Sequence, residues 1–211
     1  FKALGGLAMV GYTLKKQTLY RHIRAPVPKT VADLFAQPGQ ILATDALYLA
    51  FDYWSQETQM WEEPAPRTKG MGPEKIWDST RGISAPPLNK FFLHRNAITL
   101  NDPEDDVFPQ KVRVTITVDS PMPRCVFTKL LNDIGEGDNE IAVDGTNGFE
   151  GVGDELFILI DDEWIKHSGK TEGSFKIVRR GARGTRATGH LAGALIRAGK
   201  TFRRVVYIPN F

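Results

Sequence analysis

The sequence is poor in cysteine and histidine, the residues on which disulfide frameworks and many metal sites depend. Cys125 is its only cysteine, so no intramolecular disulfide can form and the class of disulfide-stapled secreted domains is excluded. A lone cysteine is more typical of a buried apolar filler than of a nucleophile. The four histidines form no HExxH or HxH pattern, and we therefore expect no metal site and no cofactor.

Long apolar runs are also missing from the chain. No stretch of about 18 uninterrupted apolar residues occurs, so we expect no segment of this sequence to span a bilayer unaided. The nearest approach is ALGGLAMVGYTL, residues 3–14, which is followed at once by Lys15 and Lys16. The chain begins at Phe1 without a methionine, which predicts an upstream segment that could complete a membrane helix.

Glycine and proline, by contrast, are abundant and spread along the sequence. The 20 glycines and 13 prolines indicate many turns joining short strands. The 211 residues, of which 41% are hydrophobic, suffice for one large domain or two small ones with a core of their own. The composition therefore predicts a folded, β-rich chain.

The net charge of +2 conceals a strong segregation of charge. Residues 1–32 hold six Lys and Arg and no acid, residues 33–163 hold ten against 24 acids, and residues 164–211 hold 11 against one. A basic end could meet phosphates or acidic lipid. We favour an intramolecular or solvated partnership with the acidic middle, because the basic residues alternate with apolar strand residues.

The N-terminal residues are predicted to form an amphipathic helix. Residues 2–24 lack proline, and Leu4, Leu7, Val10 and Leu14 recur at near-helical spacing. The segment APVPKT would end the helix, because proline removes a backbone donor and restricts the residue before it. These four apolar side chains are the expected assembly interface.

Strand patterns follow the helix. Residues 41–61 are rich in aromatics with partial alternation, which predicts a strand that continues beyond a bend. The clearest strand is QKVRVTITVD, residues 110–119. Strict alternation predicts one buried and one solvated face, with these residues buried: Val112, Val114, Ile116 and Val118.

From about residue 137 the sequence reads as a compact meander of five or six short strands, which predicts a small open barrel or rolled sheet. Asp161 and Asp162 are expected at the tip of a tight hairpin, because Asp tolerates the left-handed backbone conformation. Consecutive strand residues point to opposite faces, so we expect the carboxylates of residues 161–163 not to converge as a catalytic pair would.

The run RRGARGTRATGHLAGA is predicted to be an ordered structural loop. Gly181, Gly184 and Gly189 could supply positive φ, the arginines could lie along acidic neighbours or carbonyls, and His190 could lock the loop. The run lacks the GK[ST] ending of a phosphate loop. The predicted structural residues are these: Glu163, Arg180, Gly181, Gly184, Thr185, His190 and Gly193.

The remaining charged segments could bind nucleic acid or calcium. Nucleic-acid contact is not expected, because the basic loop lacks the interleaved aromatics of a single-strand platform. The acidic segments NDPEDD and NDIGEGDNE hold oxygen ligands that calcium would accept, but neither has the spacing of a calcium loop. Exposed acidic turns explain them equally well.

Several segments taken in order resemble prepilin-type proteins, in particular minor pseudopilins of the J type and related minor pilins. The resemblance covers about residues 105–211 and rests on VFPQKVRVTITVD, NEIAVDGTNGF, DDEWIKHSGKTEGSFKIVRRGARGTRATGH and GKTFRRVVYIP. Phe1 matches the aromatic residue that commonly starts a processed pilin. A shorter spacing within it, a glutamate followed by RGxxGT and HxxG, also occurs in phage tail and capsid proteins.

The pilin resemblance implies an α+β fold, in which an N-terminal helix (1–25) packs on an antiparallel sheet domain (26–135) with a β-rich C-terminal module (136–211). It implies a non-catalytic structural subunit of a pilus or pseudopilus in the cell envelope. Its partners would be other pilin subunits and, through residues upstream of Phe1, the inner membrane. The alternative is a bacteriophage tail or head-completion protein, and a hydrolase using Glu163 or His190 is a more distant one.

Overall fold

The computed structural model describes residues 9–25, 29–55, 59–61, 76–78, 83–85, 107–119, 126–149 and 156–208. Within these ranges the protein is nearly all antiparallel β-sheet. The described residues include one helix, α1 (Val31–Phe35). The strands are β1 (Met9–Lys15), β2 (Thr18–Arg24), β3 (Gln40–Ala43), β4 (Ala46–Ser55), β5 (Met60–Trp61), β6 (Ile76–Asp78), β7 (Ile83–Ala85), β8 (Lys111–Val118), β9 (Val126–Lys129), β10 (Glu140–Ala142), β11 (Phe157–Ile160), β12 (Glu163–Lys170), β13 (Ser174–Ala182), β14 (Leu195–Ala198) and β15 (Lys200–Tyr207).

The predicted α+β fold with an N-terminal helix is wrong, because residues 9–24 form the hairpin β1–β2. The turn residues Lys16 and Gln17 have φ of 47° and 60°, as a two-residue hairpin turn of the favoured twist requires. Val10 and Leu14 fit helical spacing, but with Tyr12 they also fit the period-two alternation of one strand face. Leu4 and Leu7 lie outside the described residues.

Helix α1 is a short cover on this hairpin. A Cβ at Gly11 of β1 would lie 2.6 Å from the Leu34 side chain, so only glycine allows α1 to pack this closely. Thr30 and Asp33 form a capping box at the start of α1. Strand β3 pairs with β2 to complete a three-stranded N-terminal sheet. Among the described residues, no helix is long and apolar enough to cross a membrane.

A second sheet has four strands in the order β15-β8-β4-β5. The strand predicted at 110–119 is confirmed as β8, but its predicted burial is wrong. Thr115 and Thr117 are 3% and 1% exposed, whereas the valines are only half-buried. Thr117 lies on the face that receives Arg183, whose Nη1 donates to the Thr117 hydroxyl at 3.0 Å.

The C-terminal half forms a six-stranded sheet with the order β10-β13-β12-β11-β14-β9. Its two edge strands meet at a bridge between Leu130 and Val143, where the Leu131 N–H donates to the Ala142 carbonyl at 3.0 Å. The sheet therefore curls into a small barrel. Its core is formed by buried residues from every wall: Leu130, Ile141, Val143, Ile158, Ile160, Ile165, Phe175 and Ile196. Each such side chain contributes about 1.5–3 kcal/mol by burial.

The chain passes directly from the barrel into the four-stranded sheet at Gly199. Strand β14 belongs to the barrel, whereas β15, which the sequence assigned to the meander, pairs with β8 along its whole length. A Cβ at Gly199 would lie 2.5 Å from the Val118 carbonyl oxygen, so this crossing requires glycine. Arg197 adds an ion pair with Asp119 of 3.3 Å across the same junction.

Candidate functional site

The strongest concentration of buried charge lies at the start of β12. The two-residue turn Asp161–Asp162 joins β11 to β12, with Ile160 opposite Glu163 and Asp161 at φ of 49°. The predicted hairpin tip is therefore confirmed. Glu163 lies on the same face of β12 as Ile165 of the barrel core, and its side chain is 0% exposed.

Five N–H groups donate hydrogen bonds to the Glu163 carboxylate. Its Oε1 accepts from Arg180 Nε and from the Gly181 backbone, each at 2.8 Å. Its Oε2 accepts from Arg180 Nη2 at 2.8 Å, from the Thr188 backbone at 3.0 Å and from His190 Nε2 at 2.8 Å. A carboxylate offers about four lone-pair sites, so the protein itself saturates both oxygens and leaves none open to a substrate.

These donors keep Glu163 ionised although it is buried. Burial alone would raise the pKa of Glu163, because it disfavours the charged form. The hydrogen bonds from Arg180, Gly181, His190 and Thr188 outweigh that effect and lower the pKa below its ordinary value. The arrangement thus stabilises a permanent carboxylate, which cannot act as a general acid near neutral pH.

Arg180 ties the Glu163 carboxylate to two loops. Its side chain is 8% exposed and binds Glu163 through two parallel N–H groups, the strongest form of such a pair. It also donates to the carbonyl of Gly135 and, at 2.6 Å, to that of Thr188. One guanidinium therefore fixes strand β12, the loop after β9 and the loop after β13 in a single arrangement.

His190 lies between two carboxylates. Its Nε2 is 2.8 Å from Glu163 Oε2 and its Nδ1 is 2.8 Å from Asp161 Oδ2. The imidazole ring therefore bridges the side chains of Glu163 and Asp161. The His190 and Ile134 backbones exchange two hydrogen bonds of 2.9 Å, which hold the ring in place.

The expectation that the carboxylates of residues 161–163 would not converge is wrong for two of them. Asp161 is the first residue of the turn and Glu163 is the first residue after it, and both reach His190, while Asp162 is exposed. The strand alternation behind that expectation does not apply to Asp161, because Asp161 is a turn residue with φ of 49°. We call Asp161, Glu163, Arg180 and His190 the Glu163 cluster.

The predicted loop glycines fall into two groups. Gly181, Gly184 and Gly193 have φ of 58°, 76° and 85°, a region that favours glycine. A Cβ at Gly181 would also lie 2.9 Å from two backbone atoms of the following turn. Gly189 was predicted to share this conformation, but its φ is not positive. It lies against the Ile134 carbonyl instead.

Thr185 fastens the middle of the same loop. Its hydroxyl donates to the Ala182 carbonyl at 2.7 Å and accepts from the Trp164 backbone N–H at 2.9 Å. The loop therefore folds back on β12, next to the Glu163 cluster. Of the predicted structural residues, Glu163, Arg180, Gly181 and His190 are in direct contact, and Thr185 lies one step further along the loop.

A second cation, the half-buried Arg183, belongs to this loop, and the sequence predicted acidic neighbours or carbonyls for it rather than aromatic rings. The guanidinium carbon of Arg183 is 4.3 Å from the ring centre of Phe157, 4.4 Å from that of Trp164 and 4.5 Å from that of Tyr48. Burial lowers the pKa of Arg183 to about 10, and Tyr48 and Asp52 partly oppose this shift. We call Arg183 and its three rings the arginine cage.

The arginine cage joins two sheets. Phe157 and Trp164 belong to the barrel strands β11 and β12, and Tyr48 belongs to β4 of the four-stranded sheet. Trp164 also packs with Leu47 of β4 in a small buried cluster. Such cation–π contacts contribute about 2 kcal/mol or more when desolvated. Tyr48 lies more than 100 residues before the hairpin that carries Phe157 and Trp164, so the sequence carries no local signal for the cage.

No known protein family, no curated protein and no solved structure matches the chain. The geometry of the described residues therefore carries the functional inference.

The other candidate ligands have structural uses where the structure describes them. In NDIGEGDNE, Asp133 accepts from the Ala192 N–H and Asp138 from the Gly135 N–H, each at 2.7 Å. Among the described residues, no group of three or more His, Cys, Asp or Glu side chains is arranged to hold a metal ion. NDPEDD and Cys125 lie outside the described residues.

His167 is a buried histidine of the barrel wall. Its Nδ1 lies 3.2 Å from the Gly169 carbonyl, and its ring meets Phe175 edge-on at 4.9 Å. Burial lowers the pKa of His167, although the hydrogen bond to Gly169 partly opposes this shift. The neutral ring is therefore favoured, which suits a packing role.

Proposed function

We propose that the chain is a non-catalytic structural subunit of a bacteriophage particle, such as a tail or head-completion protein. The observation that supports the non-catalytic, structural part of this proposal is the saturation of Glu163. A catalytic acid or base must present an available proton or lone pair to a substrate. The most deeply buried carboxylate of the described residues presents neither, because its five hydrogen bonds all come from the protein.

The chemistry of the cluster suits shape retention. A buried charge is costly unless it is paired and fully hydrogen-bonded, and a fully satisfied network fixes one loop conformation. The Glu163 cluster fixes the loops around residues 135 and 188, and the arginine cage fixes the barrel against the four-stranded sheet. A subunit whose function is to present surfaces in a set orientation needs such rigidity.

Two observations favour a phage particle over a pilus. A pilus subunit was expected to assemble through an N-terminal helix, and residues 9–24 form a β-hairpin instead. The spacing shared with phage tail and capsid proteins, on the other hand, is the part of the sequence that supplies the Glu163 cluster and its loop. The pilus function stays a prediction that no described element supports.

The proposal is tested by locating the chain in fractions of a lysate from the host strain that carries its gene. Phage particles are purified on a density gradient, and sheared filaments and cell envelopes are prepared from the same culture. Mass spectrometry is expected to find the chain in the particle band, at a constant ratio to the other particle proteins. Recovery in the filament or envelope fraction, with none in the particle band, would contradict the proposal.

A further inference from the structure

Strand β15 is an edge of the four-stranded sheet. One side of β15 pairs with β8 along all eight residues, from Lys200 opposite Val118 to Tyr207 opposite Lys111. No strand among the described residues pairs with its other side. An edge strand presents a row of unpaired N–H and C=O groups, to which a further strand can be added.

One face of β15 alternates basic and apolar side chains. Lys200, Phe202, Arg204 and Val206 lie on this face, each opposite an apolar residue of β8. Phe202 and Val206 are apolar, yet their exposed fractions are 48% and 47%. Lys200 and Arg204 are exposed as well. Within the described part of the chain, neither forms a salt bridge with an acidic side chain.

We propose that the edge of β15 with which no described strand pairs binds an extended strand of another protein in which acidic and apolar residues alternate. Main-chain hydrogen bonds to the edge would supply affinity, and the side chains on the shared face would supply selectivity. Acidic residues of the partner lie opposite Lys200 and Arg204, and apolar ones lie opposite Phe202 and Val206. Directly opposed charge pairs and apolar pairs both stabilise neighbouring strands.

The charge of β15 disfavours a second copy of this chain as the occupant. Antiparallel self-pairing that sets Phe202 opposite Phe202 also sets Lys200 opposite Arg204. Pairing that sets Phe202 opposite Val206 sets Arg204 opposite Arg204. Like charges directly opposite each other are destabilising, and basic side chains are a common protection of edge strands against self-association. The same charges that repel a copy attract an acidic strand.

The four-stranded sheet is a rigid template for such an addition. The opposite face of β15 is anchored by the Thr201 hydroxyl, which lies 2.8 Å from that of Thr117. Gly199 connects β15 directly to the barrel. The partner strand would therefore be added in a fixed orientation to the rest of the subunit. The proposal does not depend on the particle being viral.

The test uses the full chain and a synthetic peptide of about nine residues, the length of a typical strand. Glutamate and valine alternate on one side of the peptide, and threonine fills the other side. A control peptide carries lysine in place of glutamate. Fluorescence anisotropy at low salt measures binding, and hydrogen exchange of the β15 amides reports whether the peptide occupies the edge.

The acidic peptide is expected to bind and to protect alternate amides of β15, while the lysine peptide does not. R204E should weaken binding of the acidic peptide by about tenfold, because an attractive cross-strand pair becomes a repulsive one. The same substitution should improve binding of the lysine peptide. R186E is the matched control, since Arg186 is exposed in the barrel loop, and it should leave binding unchanged.

Three results would overturn the proposal. One is no binding of the acidic peptide up to millimolar concentration. Another is binding without specificity for the edge: R204E and R186E weaken it equally, or the β15 amides stay unprotected. Either outcome would indicate general attraction to a basic protein. The third is a dimer of the full chain in sedimentation analysis that R204E alters, because a second copy would then occupy the edge. Circular dichroism checks that both variants are folded.

Discussion

Replacement of Glu163 by glutamine gives the sharpest test of the Glu163 cluster, because glutamine has the same shape and no charge. One oxygen of the amide can still accept from Arg180 Nε and the Gly181 N–H. The NH₂ group would then face the three donors that now reach Oε2, from Arg180, Thr188 and His190. E163Q thus opposes donors to donors and leaves a buried guanidinium without its counter-ion.

The expected cost follows from the burial of the pair. Arg180 and Glu163 are 8% and 0% exposed, and removal of one partner from a buried pair costs about 3–5 kcal/mol. A domain of this size loses about 2–4 °C in melting temperature for each kcal/mol. We therefore expect E163Q to lower the melting temperature by roughly 10 °C. That loss is a large part of a total stability of about 5–15 kcal/mol.

Thermal unfolding followed by circular dichroism, together with urea titration, measures this loss. E172Q is the matched control, because Glu172 lies in an exposed turn and surface substitutions usually change stability by less than about 0.5 kcal/mol. Equal stabilities of E163Q and E172Q would refute the view that the Glu163 carboxylate holds the loops together. Loss of an activity without loss of stability would refute the structural role as well.

Three further predictions concern pH, the junction and the cage. The pKa of Glu163 is lower in the folded state than its ordinary value of 4.5, so its stabilisation is present above that value and is lost as pH falls through the folded pKa. Urea midpoints of wild type and E163Q should therefore converge as the pH falls below 4.5, and a gap that stays constant would contradict this. G199A should lower the free energy of unfolding by about 1–3 kcal/mol, because the added Cβ meets the Val118 carbonyl. A Cβ at Gly137 meets nothing within 4 Å, so G137A should leave the free energy of unfolding nearly unchanged in the same urea titration. R183K should lower the stability measured by thermal unfolding by about 1–2 kcal/mol, since lysine lacks the planar group that stacks on three rings. An effect no larger than that of R186K would contradict a stabilising role of the arginine cage.

The sequence predicts individual strands of this fold better than it predicts the N-terminal element. β8 and the Asp161–Asp162 hairpin carry purely local signals, alternation and a two-residue turn. Residues 9–24 satisfy two periods at once, and the choice between them depends on contacts that are distant in sequence. Gly11 receives Leu34 of α1, and Tyr12 packs on Phe51 of β4 with ring centres 5.7 Å apart.

The candidate site divides in the same way. The loop spacing marks Arg180, Gly181 and His190 because their glycines and charges are close in sequence. The arginine cage was missed because Tyr48 lies over 100 residues before Arg183 in the chain. The burial of β8 was predicted on the wrong face for the same reason. An alternating strand predicts two faces, but the covered one cannot be chosen locally, because Arg183 reaches the threonine face from a distant loop.

The two faces of β15 carry different side chains, so the four-stranded sheet has two distinct sides. Thr201 faces the same side as Thr117, where Arg183 donates from the barrel, and Phe202 and Val206 face the other side. Because Gly199 leaves no slack between β14 and β15, a strand bound at this edge would be oriented with respect to the barrel.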